Sequence, residues 1–409
     1  MAWKNMSTIA PRYAEADNVA DVFKPALPLS TRIAVAGAGA FGGWTALNLL
    51  RLGYKVTLFD PWGAGNSLSS SGGETRLMRS VYGSNSFYTK LANESYDMWL
   101  ETEAWEGSKL LHTTGNLWMV GENDNEMGSA VAQMDGLNLP YKIFKASEVP
   151  DRFSYINCSD LSYLILEEKA GVLKARESCQ AVLKKFVSEG GQYIAEALTP
   201  GSVRNGKMGG CKTSSGGRHE SDIYLFAGGP WLKSLFSDVL APHLAVTRQE
   251  VHYFGLPAAK AGFFEANLPS WIDMAHDGGF YGIPGGFHRG FKVASDKRGR
   301  EVDPTTQSRM PEQPEVERAR DYVHYRFPGL GTLPLIESRV CQYTNTTDGS
   351  FILDTHPEAS NVWLLGGGSG HGFKHGPGLG KMAASIIAGQ QGLPTLLSLS
   401  RLKSSGLIV

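Results

Sequence analysis

The sequence predicts an α/β (α+β) protein: a Rossmann-like dinucleotide-binding domain joined to a substrate domain built on a mostly antiparallel β-sheet. Three observations carry this. A strand, a glycine turn, a helix, a second strand and an acid follow one another between residues 32 and 60. A second glycine-rich strand-to-helix junction occupies 362–389. Between the two, residues 236–334 contain alternating stretches such as Glu250-Val251-His252-Tyr253-Phe254, as antiparallel strands do.

The first unit opens with the apolar run Arg32-Ile33-Ala34-Val35-Ala36, which feeds Gly37-Ala38-Gly39-Ala40-Phe41-Gly42, a G-x-G-x-x-G match. The spacing of Trp44, Ala46, Leu47, Leu49 and Leu50 predicts a helix opening on Gly42 or Gly43 and stopped by Gly53. Residues 55–59 form the return strand, with Asp60 at its carboxyl end. Gly37 permits the tight turn, Gly39 lets backbone N–H groups approach a pyrophosphate, and Gly42 allows close helix-to-strand packing. Phosphate charge would rest on the helix N-terminus. Asp60 stands where a carboxylate reaches a ribose hydroxyl, and no Arg follows it to favour a 2'-phosphate. Because the chain holds 49 glycines, the glycine pattern alone is weak, and the surrounding strand, helix, strand and acid make the case. These residues leave NAD and FAD both open.

The chain has 409 residues, enough for more than one domain with a well-buried core. A formal net charge of -1 offers no basic field for nucleic acid or an anionic membrane, so neither is expected as a partner. The apolar runs are far shorter than a membrane span. Residues 1–30 carry charges throughout and include Pro11, Pro25 and Pro28, which reads as an N-terminal extension and not a secretion signal. Cys158, Cys179, Cys211 and Cys341 lie far apart without a C-x-x-C pair, which suits a reducing, cytoplasmic setting and no metal. His371 and His375 are four apart, but the glycines and proline around them argue against the helix a metal pair would need.

After Asp60 a flexible segment, 63–73, leads to Glu74-Thr75-Arg76-Leu77-Met78-Arg79; on a helical turn Arg76 and Arg79 would point the same way. An amphipathic helix is expected over 91–101, then strand with a central turn over 111–120. A helix over 171–191 leads to a strand at 192–195, and 200–221 reads as an exposed hairpin region. The buried strand 222–227 runs into Gly228-Gly229-Pro230-Trp231. Residues 314–325 read as a charged surface helix. Val362-Trp363-Leu364-Leu365 then enters 366–374, rich in glycine, and a helix from about 378 to 389. Its N-terminus would face an electron-rich group, a feature that a flavin uses more than a nicotinamide does.

Assembled in order, GAGAFG at 37–42, GETRLMR at 73–79, AGGPW at 227–231, FYGIP at 280–284, GFK at 290–292, CQYT at 341–344 and SGHGFK at 369–374 resemble the sarcosine oxidase family within the D-amino-acid-oxidase-like FAD oxidoreductases. The resemblance runs from about residue 31 to 389. It implies FAD as cofactor, joined covalently through its 8α position to the sulfur of Cys341, with further contacts from Gly37, Gly39, Ala40, Phe41, Gly42, Asp60, Thr75, Arg76, Gly228, Trp231, Gly368, Gly370, His371, Gly372 and Lys374. It implies that Lys292 activates oxygen, that Arg76 lies beside the flavin, that Arg79 and Lys374 hold a substrate carboxylate, and that Tyr281 and Tyr343 line the pocket. Two cations converging on one carboxylate make chemical sense. One departure matters: the family's histidine four residues after the oxygen-activating lysine is Asp296 here, added to the catalytic set as a carboxylate able to pair with an amine, or with Lys297 or Arg298. The histidines that some relatives carry before G-[DE]-T-R are Ser71 and Gly72.

The expectation is thus a monomeric FAD-dependent amine oxidase taking an amino acid or a secondary-amine (N-methyl or cyclic imino) acid, with oxygen as acceptor, giving imine and hydrogen peroxide. A dehydrogenase using another acceptor, a flavin-binding protein without turnover, and an NAD dehydrogenase resting on 37–60 alone are the alternatives. The expected organisation places FAD binding in 31–110, 165–235 and 335–395, a substrate domain in 111–164 and 236–334, and a C-terminal tail in 396–409.

Overall fold

The computed structural model describes residues 26–122, 126–148, 153–277, 279–286 and 289–404, so residues 1–25 of the expected extension and 405–409 of the tail lie outside the described residues. It is a mixed α/β fold with two large sheets. The six-stranded sheet runs Ile352–His356, Ala359–Gly366, Ile223–Phe226, Arg32–Ala36, Lys55–Phe59, Gln192–Ile194. Val35 pairs in parallel with Leu225 on one side and Leu58 on the other. The two central strands, Arg32–Ala36 and Ile223–Phe226, are apolar after Arg32 because both faces are covered, while the edge strand Gln192–Ile194 is partly exposed. Val35, Leu58, Leu225 and Leu365 join a core with Trp44, Leu47 and Leu379 from two helices, while Ala34, Phe59, Phe226 and Leu364 pack with Leu232, Phe236 and Leu240.

The first helix spans Ala40–Arg51 and so opens earlier than the apolar spacing indicated, because extended Gly39 already ends the turn. Gly37 has φ +108°, and a Cβ there would lie 2.4 Å from the Ala227 carbonyl oxygen. At Gly42 a Cβ would lie 1.9 Å from the Gly37 carbonyl, so the third glycine is required by the helix-to-turn approach.

The eight-stranded sheet runs Leu335–Thr346, Leu244–Phe254, Phe291–Ser295, Phe280–Ile283, Ser270–Asp273, Asn116–Val120, Tyr163–Glu167, Tyr141–Lys145. It is antiparallel apart from the pairing of Asn116–Val120 with Ser270–Asp273. The strand carrying Cys341, grouped by sequence with the dinucleotide unit, hydrogen-bonds along Leu244–Phe254 and belongs to this sheet. Tyr163–Glu167 likewise crosses the boundary expected at 165.

Several local expectations change. Residues 171–191 begin with a strand, Gly171–Lys174, paired with Thr75–Met78, before the helix Ala175–Ser188. Arg76 therefore sits on a strand, and Arg79 just past its end, not on a helical turn. The helix Gln313–Arg326 is not merely a surface helix: Ala319, Tyr322, Val323 and Arg326 are buried, and Arg326 donates to Asp273 at 2.7 Å and Asp160 at 2.8 Å. A residue pattern dominated by charge hid a face that packs through tyrosine and an ion pair. Residues 395–404 pack back on the fold through Thr395–Leu397 and Ser400–Ser404, burying Leu396, Leu397, Leu399 and Leu402. Among the described residues no helix is long and apolar enough to cross a membrane.

Candidate active site

One cavity of about 1150 Å³ runs from the glycine turn at Gly37, Gly39 and Ala40 past Asp60 to Cys341, Tyr343 and Lys374. That exceeds a pocket for a single drug-sized ligand, ~300–1,000 Å³. Its nucleotide end is built by the first sheet. Phe41, Gly228, Trp231, Gly368, Gly370, His371 and Gly372 line it as well. Buried Asp60 accepts from the backbone N–H of Ala38 and of Trp62, each at 3.0 Å, so its carboxylate pins the glycine turn to the strand end. Burial raises its pKa while these bonds oppose the shift.

The segment 66–73 closes over the middle of the cavity through several ties. Arg76 donates from Nη1 to the Thr75 carbonyl at 2.8 Å and from Nη2 to the Ser70 carbonyl at 2.5 Å. Arg176 donates to the Gly72 carbonyl at 2.8 Å, and Ser70 Oγ to the Gln342 carbonyl at 2.9 Å, linking this segment to the strand of Cys341. Cys341 and Tyr343 are two apart on that strand, which sends their side chains to one face. Cys341 is free, half-buried and on the cavity wall.

Lys292 comes from the centre of the second sheet, flanked by Tyr253 and Ile283. It is buried and donates from Nζ to the Thr75 carbonyl at 3.1 Å. Burial first, then the charge of Arg76, pulls its pKa down to about 7. Tyr281 Oη lies 3.2 Å from Tyr343 Oη, and Tyr343 Oη donates to Asp296 Oδ1 at 3.4 Å. Burial pushes Tyr281 up to about 12 and raises Asp296.

At the far end, Lys374 is buried and donates to the His371 carbonyl at 2.9 Å. Arg79 donates to the Val81 carbonyl, with its guanidinium 4.5 Å from the Tyr82 ring centre and 5.2 Å from that of Trp118. Burial and the charge of Arg79 hold Lys374 well below its ordinary value. Arg76, Arg79 and Lys374 line one cavity; Lys292 is not among its lining residues but lies 5.9 Å from the ring centre of Tyr281, which is, and none of the four forms an ion pair among the described residues. Basic side chains placed so, without ion-pair partners, suit an anionic occupant.

Three residues are not assigned to the site from the sequence: Tyr82, His375, which is weighed there only as a metal ligand, and Glu167. Tyr82, three past Arg79, bonds His371 Nδ1 at 3.0 Å and His375 Nε2 at 2.6 Å. His371 Nε2 faces the Gly349 carbonyl at 3.0 Å and must carry the proton there, so Tyr82 donates to His371 and accepts from His375. Burial keeps both imidazoles well below their ordinary value, hence neutral. The two histidines thus anchor a tyrosine, and among the described residues no cluster of metal-ligating side chains occurs. Glu167, the third, ends the apolar strand Tyr163–Glu167, is buried, and accepts from Ser80 N and, at 3.2 Å, from Trp118 Nε1. Burial raises it to about 7. Tyr82 and His375 adjoin recognised motifs and were findable, whereas an acid at the end of an apolar strand gives no local signal.

The residues fit a flavin dinucleotide on the structure's own terms. Glycines stand where side chains would intrude: a Cβ at Gly370 would come 2.7 Å from the Tyr343 ring, and at Gly372 2.7 Å from Phe41. The cavity joins a dinucleotide turn to a cysteine and a cluster of cations. Residues 32–386 match the family described as FAD dependent oxidoreductase. Monomeric sarcosine oxidase from Bacillus sp. (strain NS-129) is 28% identical over 359 residues, covering 87% of this chain and 92% of its own. Peroxisomal sarcosine oxidase from Homo sapiens is 27% identical over 355 residues, 85% of this chain and 90% of its own. L-proline dehydrogenase from P. horikoshii shares the fold, with a TM-score of 0.80 at 18% identity over 92% of this chain and 99% of that one.

Proposed function

The chain belongs to the family of FAD-dependent oxidoreductases, and on that premise we propose that it is an amine oxidase for amino acids or secondary-amine acids. The observation that carries the reading is the pair Arg79 and Lys374, two cations without ion-pair partners among the described residues, converging beside Tyr82 at the cavity's inner end. A guanidinium and an ammonium there would bind a substrate carboxylate and fix the carbon next to nitrogen relative to the rest of the cavity. When bound, the flavin supplies the two-electron acceptor and, with oxygen, yields hydrogen peroxide. Tyr281, Tyr343 and Trp118 wall the reacting centre from water. Lys292, fixed on Thr75, places a cation where oxygen would be reduced. Cys341 Sγ is the proposed covalent attachment atom. The imine product hydrolyses once released, unless it is cyclic.

Support for a small amino-acid-like substrate and a monomer comes from relatives called monomeric sarcosine oxidase; four free cysteines accord with a reducing cytoplasm. A dehydrogenase handing electrons to another acceptor is favoured by one feature, the Lys292 pKa near 7, which leaves that amine partly uncharged at neutral pH. Two measurements test the proposal. Oxygen consumption with reduced holoenzyme separates the acceptors: slow reoxidation in air contradicts the oxidase. Flavin retained in an acid-precipitated pellet supports the Cys341 bond, and flavin released to the supernatant contradicts it.

A further inference from the structure

We propose that the substrate binds as a zwitterion, with Asp296 holding its protonated amine and then accepting the proton from nitrogen. This rests on the reading of Arg79 and Lys374 as a carboxylate clamp. The N–H bond breaks, an Oδ–H bond forms, and nitrogen keeps its electron pair. No electron leaves the substrate in this step, and the amine is left neutral for C–H cleavage.

The other acids in or near the cavity are each partnered or exposed. Asp60 holds Ala38 and Trp62 backbone, Glu167 holds Ser80 N and Trp118, and Glu301 is paired with Lys233. Asp277 is exposed at the cavity rim. Asp296 lines the same cavity and, among the described residues, has one side-chain hydrogen bond, the long 3.4 Å contact from Tyr343. The cations beside it in sequence do not pair with it: Lys297 is exposed, and Arg298 donates to Asn345 Oδ1 at 2.8 Å. Asp296 is half-buried on the cavity wall, and a carboxylate with most of its acceptor capacity unused is costly to enclose under a bound ligand unless that ligand brings a cation to meet it.

Its placement relative to the clamp is set by packing. Tyr343, which touches Asp296, packs on Gly370, where a Cβ would lie 2.7 Å from its ring. The next residue, His371, lends its carbonyl to Lys374 Nζ. A single turn therefore sets the negative and positive ends of the pocket together. The fields of Arg298, Arg79 and Lys374 reach Asp296 and favour its ionised form against the burial that raises it. An α-amino acid, with opposite charges a few bonds apart, matches this pairing, and an N-acylated one does not.

The test uses cofactor-loaded protein at one neutral pH and two ligands of equal shape: trimethylglycine, cationic at nitrogen and lacking an N–H to lose, and 3,3-dimethylbutanoate, its uncharged carbon analogue. Binding is read by calorimetry for wild type, Asp296→Asn and Asp296→Glu. Wild type is expected to prefer the cationic ligand by roughly 10-fold or more, on the scale of a Coulombic contact between two unit charges. Asp296→Asn loses that preference while keeping its affinity for 3,3-dimethylbutanoate, and Asp296→Glu restores part of it. With an oxidisable amino acid, kcat/KM of Asp296→Asn should climb with pH, following the neutral-amine fraction, where wild type is flatter. An equal preference in wild type and Asp296→Asn overturns the inference. Failure of both ligands to bind wild type overturns the carboxylate clamp, and the inference with it.

Discussion

The ammonium of Lys374 lies 4.8 Å from the centre of the Tyr82 ring. The Arg79 guanidinium lies 4.5 Å from the same centre, so one aromatic ring sets the spacing of the two cations proposed to hold a carboxylate. Arg79→Leu and Lys374→Leu are each expected to raise KM for an amino acid by ~10-fold to 100-fold, the scale of a charged hydrogen bond. Arg79→Lys keeps the charge but not the planar fork, and should recover only part of the loss. Steady-state kinetics with a free acid and its amide check this, since the amide should be insensitive to both changes.

Tyr82 adds a separable contribution through its hydroxyl. Tyr82→Phe keeps the ring beside the cations but removes its hydrogen bonds to His371 Nδ1 and His375 Nε2. The cost should be about 1–3 kcal/mol for an unsatisfied buried group. A lowered Tm with KM little changed is the expected pattern, while Tyr82→Leu should damage both.

Lys292 should act after the amine is oxidised. Lys292→Met is expected to slow reoxidation by oxygen ~100-fold or more, the scale for losing a positioned charge, while anaerobic reduction by substrate changes only a few-fold. Stopped-flow measurement of the two half-reactions separates them. In wild type, reoxidation should weaken as pH rises through about 7, where burial has placed the ammonium's pKa.

Glu167 makes a stability prediction with a definite sign. Burial raises it from an ordinary 4.5 to about 7, so between these values the folded chain binds a proton that the unfolded chain has lost. Its contribution is full below the unfolded value and disappears as pH rises through about 7. Denaturant titrations of Glu167→Gln should therefore show a flatter dependence on pH across that window than wild type. An unchanged slope would count against the assignment.

The dinucleotide half was legible because its constraints are local. Gly37 needs a positive φ, Gly42 has no room for a Cβ, and Asp60 sits one residue past its strand. Such demands leave residue types at fixed spacings. That Tyr281, Cys341 and Lys374 share one cavity was legible only through the combination of separate motifs, since they reach it from distant segments. Periodicity failed where chemistry replaced it: Arg326 is buried on an ion pair with Asp273, and a helix full of charge looked exposed. Glu167 was invisible because its partners, Ser80 and Trp118, are distant in sequence. The sheet membership of Leu335–Thr346 depends on its register with Leu244–Phe254, which no single segment encodes.

Oxidation of a carboxylate-bearing amine held by Arg79 and Lys374 can be followed by anaerobic titration of the cofactor-loaded protein, read by visible flavin absorbance. N-methyl, cyclic imino, ordinary and glycated amino acids would each be compared with their methyl esters. Bleaching is expected with at least one free acid and little or none with its ester, and Arg79→Leu should lose that discrimination. Equal bleaching by acid and ester, or no bleaching by any of them, would contradict a clamp-dependent oxidation.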